Sequence, residues 1–267
     1  MKNLIKINLL FVIVTALTSC SSPGTFTEEE RELSLSTLKN TGVMGASMSA
    51  GFMLDIKFAD VLDKSFLSEH KLMSVADAGF FQDPVGIGKN MIDALKDNKS
   101  TLIFAVDFLF WFAHGSGLSF ADRTARLDKG LKLLDSIECA VIVGTLPDMS
   151  GANKLMLPPS AIPSKDELEK INAKIANWSK TNKKIILVPL SDWVYKMKNS
   201  KEIEIFGEKK IFPTDDVMQA DMLHPSKKGL IVVTILCIQE LLKNVKGFSN
   251  NDFCADFDQL LSMLPSK

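Results

Sequence analysis

The chain has 267 residues, 46% of them hydrophobic and 24% charged, with a formal net charge of -1, which suits one globular domain with a full core. These values exclude a nucleic-acid binder. Only Arg31, Arg123 and Arg126 are arginines, and the lysines are interspersed with acids, so no basic stripe exists to neutralise a run of phosphates.

At the N-terminus Lys2 and Lys6 flank the start of an apolar run over 7–17, and small residues then lead to Cys20. This pattern reads as a signal peptide, and the run is shorter than the ~20 residues of a spanning helix. Leu17-Thr18-Ser19-Cys20 resembles the bacterial lipobox, which implies a diacylglycerol on the Cys20 thiol and cleavage before it. A plain secretory signal or an uncleaved anchor is the alternative. The expected organisation is a lipoprotein signal peptide over 1–19, a lipidated Cys20 with a flexible tether over 20–37, and one domain over 38–267. Several fatty chains give stable membrane attachment where one does not. Ser21 rather than Asp after the cysteine resembles the enterobacterial signal for the outer membrane. The tether reading rests on Ser, Thr and Glu with a Pro23-Gly24 pair. Cys139, Cys237 and Cys254 remain, an odd number that allows one disulfide at most. Cys139 and Cys237 sit in apolar runs and read as small buried hydrophobes. No Cys and His spacing resembles a zinc site, and no cofactor motif appears.

After the tether, short apolar runs alternate with longer amphipathic ones, the pattern of a parallel sheet covered by helices on both faces. Strands are predicted over 42–45, 71–75, 101–110, 140–144 and 184–189. Helices are predicted over 51–62, 85–95, 121–137, 166–180, 226–242 and 251–264, with Ser164 as the N-cap of the fourth. Residues 202–211 alternate polar and apolar around Phe206-Gly207 and predict a hairpin that forms one wall of a cleft.

Functional groups of such a sheet gather at the carboxyl ends of its strands. In Gly45-Ala-Ser47-Met-Ser-Ala-Gly51, Ser47 falls where a strand turns into a helix, and the two glycines let the turn close. Amide N-H groups of a first helical turn are unpaired and suit an oxyanion. A serine hydroxyl needs a base and an acid to orient that base. Asp221-Met-Leu-His224-Pro225 supplies both before the last long helix. Taken singly, each segment also has a structural reading: a small-residue turn, and an aspartate capping the helix that Pro225 starts. Of the other histidines, His70 lies in a charged stretch and His114 is the competitor for the role of base.

Together the two segments resemble the SGNH or GDSL hydrolases, whose first block is Gly-Asp-Ser-(Leu) and whose last is Asp-x-x-His; the likeness covers about 41–242. It implies a three-layer α/β/α sandwich with a central parallel five-stranded, flavodoxin-like sheet. It also implies Ser47 as nucleophile and first oxyanion donor, Asp221 as orienting acid and His224 as general base. Gly79, in Ala76-Asp-Ala-Gly79-Phe, corresponds to the family's second donor. The chain departs from the family at Ala46, where the motif has Asp, and after the third strand, where no Gly-x-Asn supplies the third donor. Asp107 falls near that place, with a structural or substrate-hydroxyl role expected, and Asp148 follows the fourth strand as a further cleft residue or a turn former. The implied activity is a lipid-anchored esterase that cleaves carboxylic esters through an acyl-enzyme, without metal or cofactor. The alternatives are a non-catalytic envelope lipoprotein that kept the fold, and a carbohydrate O-acetyl esterase or transferase.

Overall fold

The computed structural model describes residues 28–265, so the signal peptide, Cys20 and the first part of the tether, to residue 27, lie outside the described residues. Five strands, β1 (Asn40–Val43), β2 (Lys71–Ser74), β3 (Leu102–Ala105), β4 (Ala140–Gly144) and β5 (Ile185–Val188), form one parallel sheet in the order β2-β1-β3-β4-β5. Around them lie α1 (Glu28–Leu38), α2 (Phe58–Ser65), α3 (Pro84–Asp97), α4 (Phe110–Ala113), α5 (Phe120–Asp135) and α6 (Lys165–Thr181). They continue with α7 (Leu190–Lys198), α8 (Thr214–Val217), α9 (Lys227–Asn244) and α10 (Phe257–Met263).

Alternation along each strand divides the core in two. Val43, Phe104, Ile142 and Ile186 pack with α2, α7 and α9 on one face, while Ile103, Ala105, Val141 and Val143 pack with α3, α5 and α6 on the other. This is a three-layer α/β/α arrangement. α9 is buried along nearly its whole length, from Gly229 to Ile238 and again at Leu241, because α2, α8 and α10 cover the side turned away from the sheet. Its apolar composition nevertheless does not make a membrane span, and no described helix is long and apolar enough to be one. α6 begins at Ser164 through a capping box, with Ser164 N-H on Glu167 at 2.8 Å.

The chain differs from expectation at several elements. The end of the expected tether is helical: α1 runs to Leu38, which is fully buried and anchors it in the core. The run 101–110 is not one strand; β3 stops at Ala105, residues 106–109 turn, and α4 follows, since a fully buried apolar run carries no period that separates strand from helix. Residues 190–198, left unassigned, form α7. The last helix begins at Phe257, not at 251, preceded by a single 3-10 turn.

The hairpin forms as β6 (Glu202–Ile205) and β7 (Glu208–Ile211). Phe206 and Gly207 both take positive φ, 50° and 83°, the twist that suits a two-residue connection. It borders a groove with the segment 250–256 and not the cleft beside Ser47, so it is not a wall of that cleft. The cysteines Cys139, Cys237 and Cys254 are free thiols.

Candidate active site

In this strand order the crossovers leave β1 and β3 in opposite directions, and a crevice opens beyond their carboxyl ends. Ser47 lies just past β1 and Asp107 just past β3. After Val43 the chain is held by Met44 N-H on Phe104 O (2.9 Å), and residues 47–53 then wind through turns, with Ala50 N-H on Ala46 O and Phe52 N-H on Ser47 O, both 2.9 Å. The helix expected from residue 51 starts only at Phe58.

Asp107 holds this turn. Its Oδ2 accepts from the N-H groups of Met48 (3.0 Å) and Ser49 (3.2 Å), and its Oδ1 accepts from Ser49 Oγ (2.6 Å). The side chain is 6% exposed and its polar atoms are used by the turn, so its role is structural. Burial pushes its carboxyl above the ordinary range, against the pull of the Ser49 hydroxyl and the amides. The absence of a side chain at Gly45 makes room for it: a Cβ there would stand 2.0 Å from Asp107 Oδ1, at a φ of +153°. Gly45→Ala is therefore expected to cost about 2–3 kcal/mol and lower the Tm by roughly 5–10 °C in thermal denaturation.

The second segment closes on the first. Ser47 Oγ lies 2.8 Å from His224 Nε2, and His224 Nδ1 lies 2.7 Å from Asp221 Oδ2. A carboxylate only accepts, so Nδ1 carries the proton and Nε2 is left to accept from the serine hydroxyl. Asp221 Oδ1 also accepts from the N-H groups of Leu223 (2.9 Å) and His224 (3.0 Å), so the three-residue spacing makes the loop fold around the carboxylate. Burial works to raise the Asp221 pKa, but the hydrogen bonds from the His224 ring and from the two amides outweigh it and hold the carboxyl below its ordinary value.

Three contacts fix the imidazole plane and its loop. Phe52 stacks on the His224 ring with centroids 4.5 Å apart, Gln219 Nε2 donates to Phe52 O (2.9 Å) and Pro225 O (3.0 Å), and Asn153 N-H donates to Asp221 O (2.8 Å). None of Phe52, Gln219 and Asn153 was predicted to support the base. Phe52, one residue beyond the Ser47 motif, is the one with a sequence signal.

Other candidates are not brought to this place. Gly79 N-H donates to Asp77 Oδ1 at 2.7 Å in a local turn, and Gly79 does not line the cleft. Asp148 is exposed, bonds Ser150 N-H and Oγ at 2.7 and 2.8 Å, and shapes a turn while its neighbours Pro147 and Met149 face the cleft. The amides of Met48 and Ser49, next after the serine, are taken by Asp107. Ser47 N-H has no acceptor among the described residues. His114 is fully buried, stacks on Phe110 at 3.9 Å and donates to Phe110 O; burial pushes its pKa down to about 4. His70 pairs with Asp63 at 3.3 Å.

The cleft at Ser47 and His224 is walled by Val106, Phe110 and Trp111 after β3, Leu146, Pro147 and Met149 after β4, and α7 after β5. No asparagine lines it. Trp111 Nε1-H is buried without an acceptor among the described residues.

A hydroxyl bonded to an imidazole that is itself bonded to a carboxylate, at the mouth of an apolar cleft, is an arrangement for acyl transfer. The chain matches no family model, and no curated protein matches it. Among solved structures, the lipase/acylhydrolase of Enterococcus faecalis superposes with a TM-score of 0.52 over 79% of this chain and 99% of its own, at 17% identity. A GDSL-like lipase of Bacteroides thetaiotaomicron gives 0.50 over 78% and 90%, at 12% identity. The fold is that of the SGNH-type acylhydrolases. Relative to the SGNH pattern, the chain keeps a serine after β1 and an Asp-x-x-His before its last long helix, and lacks a cleft asparagine.

Proposed function

We propose that this chain is a serine esterase that cleaves carboxylic esters through an acyl-enzyme. The observation that carries the reading is the unbroken hydrogen-bond chain from Ser47 Oγ to His224 (2.8 Å) to Asp221 (2.7 Å). Ser47 Oγ attacks the ester carbonyl while its proton passes to His224 Nε2, and Asp221 stabilises the imidazolium that forms. His224 then protonates the departing alcohol as the carbon-oxygen bond breaks. Water, deprotonated by the same nitrogen, releases the acid and restores Ser47. The unpaired Ser47 N-H, beside the reacting carbon, is the donor we assign to the oxyanion.

We further propose that the enzyme hangs from the bacterial cell envelope, at the outer membrane, by a lipid on Cys20. The support is the lysine-flanked apolar run followed by Leu17-Thr18-Ser19-Cys20.

A fluorophosphonate probe is expected to label the wild-type chain at Ser47, in step with loss of nitrophenyl ester turnover. Mass spectrometry of the labelled peptide checks the site. Full labelling of Ser47→Ala would overturn the assignment.

A further inference from the structure

We propose that the cleft beneath Ser47 is a short acyl slot, and that the substrates are esters of small unbranched acids, acetyl to butyryl, in preference to long-chain lipids. This rests on the esterase reading above and adds the acyl group that the site selects.

The slot is built by α7. Leu190, Val194 and Met197 fall at i, i+4 and i+7, so one face of that helix turns inward. Met149 and Met218 join them, and all five are buried, Met197 to 1% exposure. The cavity enclosed is about 40 Å³. A cavity of about 150 Å³ lined by apolar side chains accepts benzene, with six carbons, so in proportion the cleft, which is lined by Ser47 and His224 too, takes roughly two acyl carbons with the reacting carbonyl counted among them. Four methionines with rotatable stems, Met48 among them, allow one or two more.

The walls also select chemical character. Apart from Ser47, His224 and the indole of Trp111, the lining group with polar side-chain atoms is Asp107, whose oxygens are bonded to the nucleophile turn. Beyond the single Trp111 N-H, nothing there serves sugar hydroxyls or a charged head.

The acyl half, not the alcohol half, belongs in this slot. The acyl group stays bonded to Ser47 while the alcohol leaves and water enters, so the departing half needs the open side and the retained half tolerates the closed one. Ester carbonyls therefore meet Ser47 with the acid chain pointing between α7 and α9, and the alcohol, sugar or otherwise, lies outside.

The test is a series of p-nitrophenyl esters from acetate to decanoate, read as kcat/KM with the full chain, alongside fluorophosphonate labelling. Wild type is expected to peak between acetyl and butyryl and to fall at least about tenfold by octanoyl. Met197→Ala, which empties the end of the α7 face, is expected to move the peak two or more carbons longer; Met149→Ala serves the same purpose if that variant does not fold. A wild-type chain that labels at Ser47 but prefers octanoyl or longer overturns the slot, as do folded variants whose profiles match wild type. A chain that neither labels nor turns over any of the esters overturns the esterase reading, and the slot with it.

Discussion

Replacing His224 by alanine is expected to lower kcat on a nitrophenyl ester by about 10⁵- to 10⁶-fold, and Asp221→Ala by about 10⁴-fold, while the chain stays folded. The larger loss falls on His224 because without it the Ser47 hydroxyl has no proton acceptor, whereas without Asp221 the ring remains, its plane still supported by Phe52 but its tautomer no longer fixed. The double variant is expected to be no slower than His224→Ala, since the carboxylate acts only through the ring. Steady-state kinetics with circular dichroism as the folding control measures all three. The pH behaviour has a definite sign. Asp221 has a lowered pKa in the folded chain, so its contribution to stability is present above the ordinary carboxylate range and is lost as pH falls through the lowered value. Asp221→Asn is expected to remove that acid-side step from a plot of Tm against pH.

The second large effect is expected at Asp107. In Asp107→Ala two buried amides and the Ser49 hydroxyl lose their acceptor. Each buried group left unpaired costs about 1–3 kcal/mol, so the variant is expected to lose roughly 3–9 kcal/mol and to melt at least about 10 °C lower. A nucleophile turn displaced by about 1 Å also costs about 10²-fold in kcat. Asparagine is expected to behave differently. Its amide oxygen can accept from Met48 and Ser49 N-H while its nitrogen donates to Ser49 Oγ, so the turn survives. Because burial raises the Asp107 pKa, the wild-type residue favours folding fully at low pH and loses that contribution as pH rises through the raised value. Asp107→Asn lacks that loss and is expected to melt at or above wild type at neutral pH. A Tm series for both variants from acid to neutral pH checks the ordering.

How much of this was legible beforehand depended on whether a residue's task was local. Four strands were found because each is a short apolar run bounded by turn residues, β3 only as the start of the longer run 101–110, and the hairpin because Phe206-Gly207 meets a two-residue turn. α7 was missed. Its Leu190, Val194 and Met197 do carry the helical spacing, but only nine residues long and directly after a strand, they compete with a loop reading. Gly79 and Asp148 were placed at the right edge of the sheet, yet each spends its hydrogen bonds on its own turn.

The amino-acid sequence alone indicated the five strands and singled out Ser47, Asp221 and His224, because a turn with flanking glycines and an acid three residues before a histidine are short-range chemistry. Only the tertiary structure decided that the first amides behind Ser47 serve Asp107, that Ser47 N-H is left unpaired, and that α7 closes an apolar slot beneath the serine. Those outcomes depend on contacts between segments some 60 to 150 residues apart in the chain, and one-dimensional patterning does not encode which of several nearby acceptors a given N-H will meet.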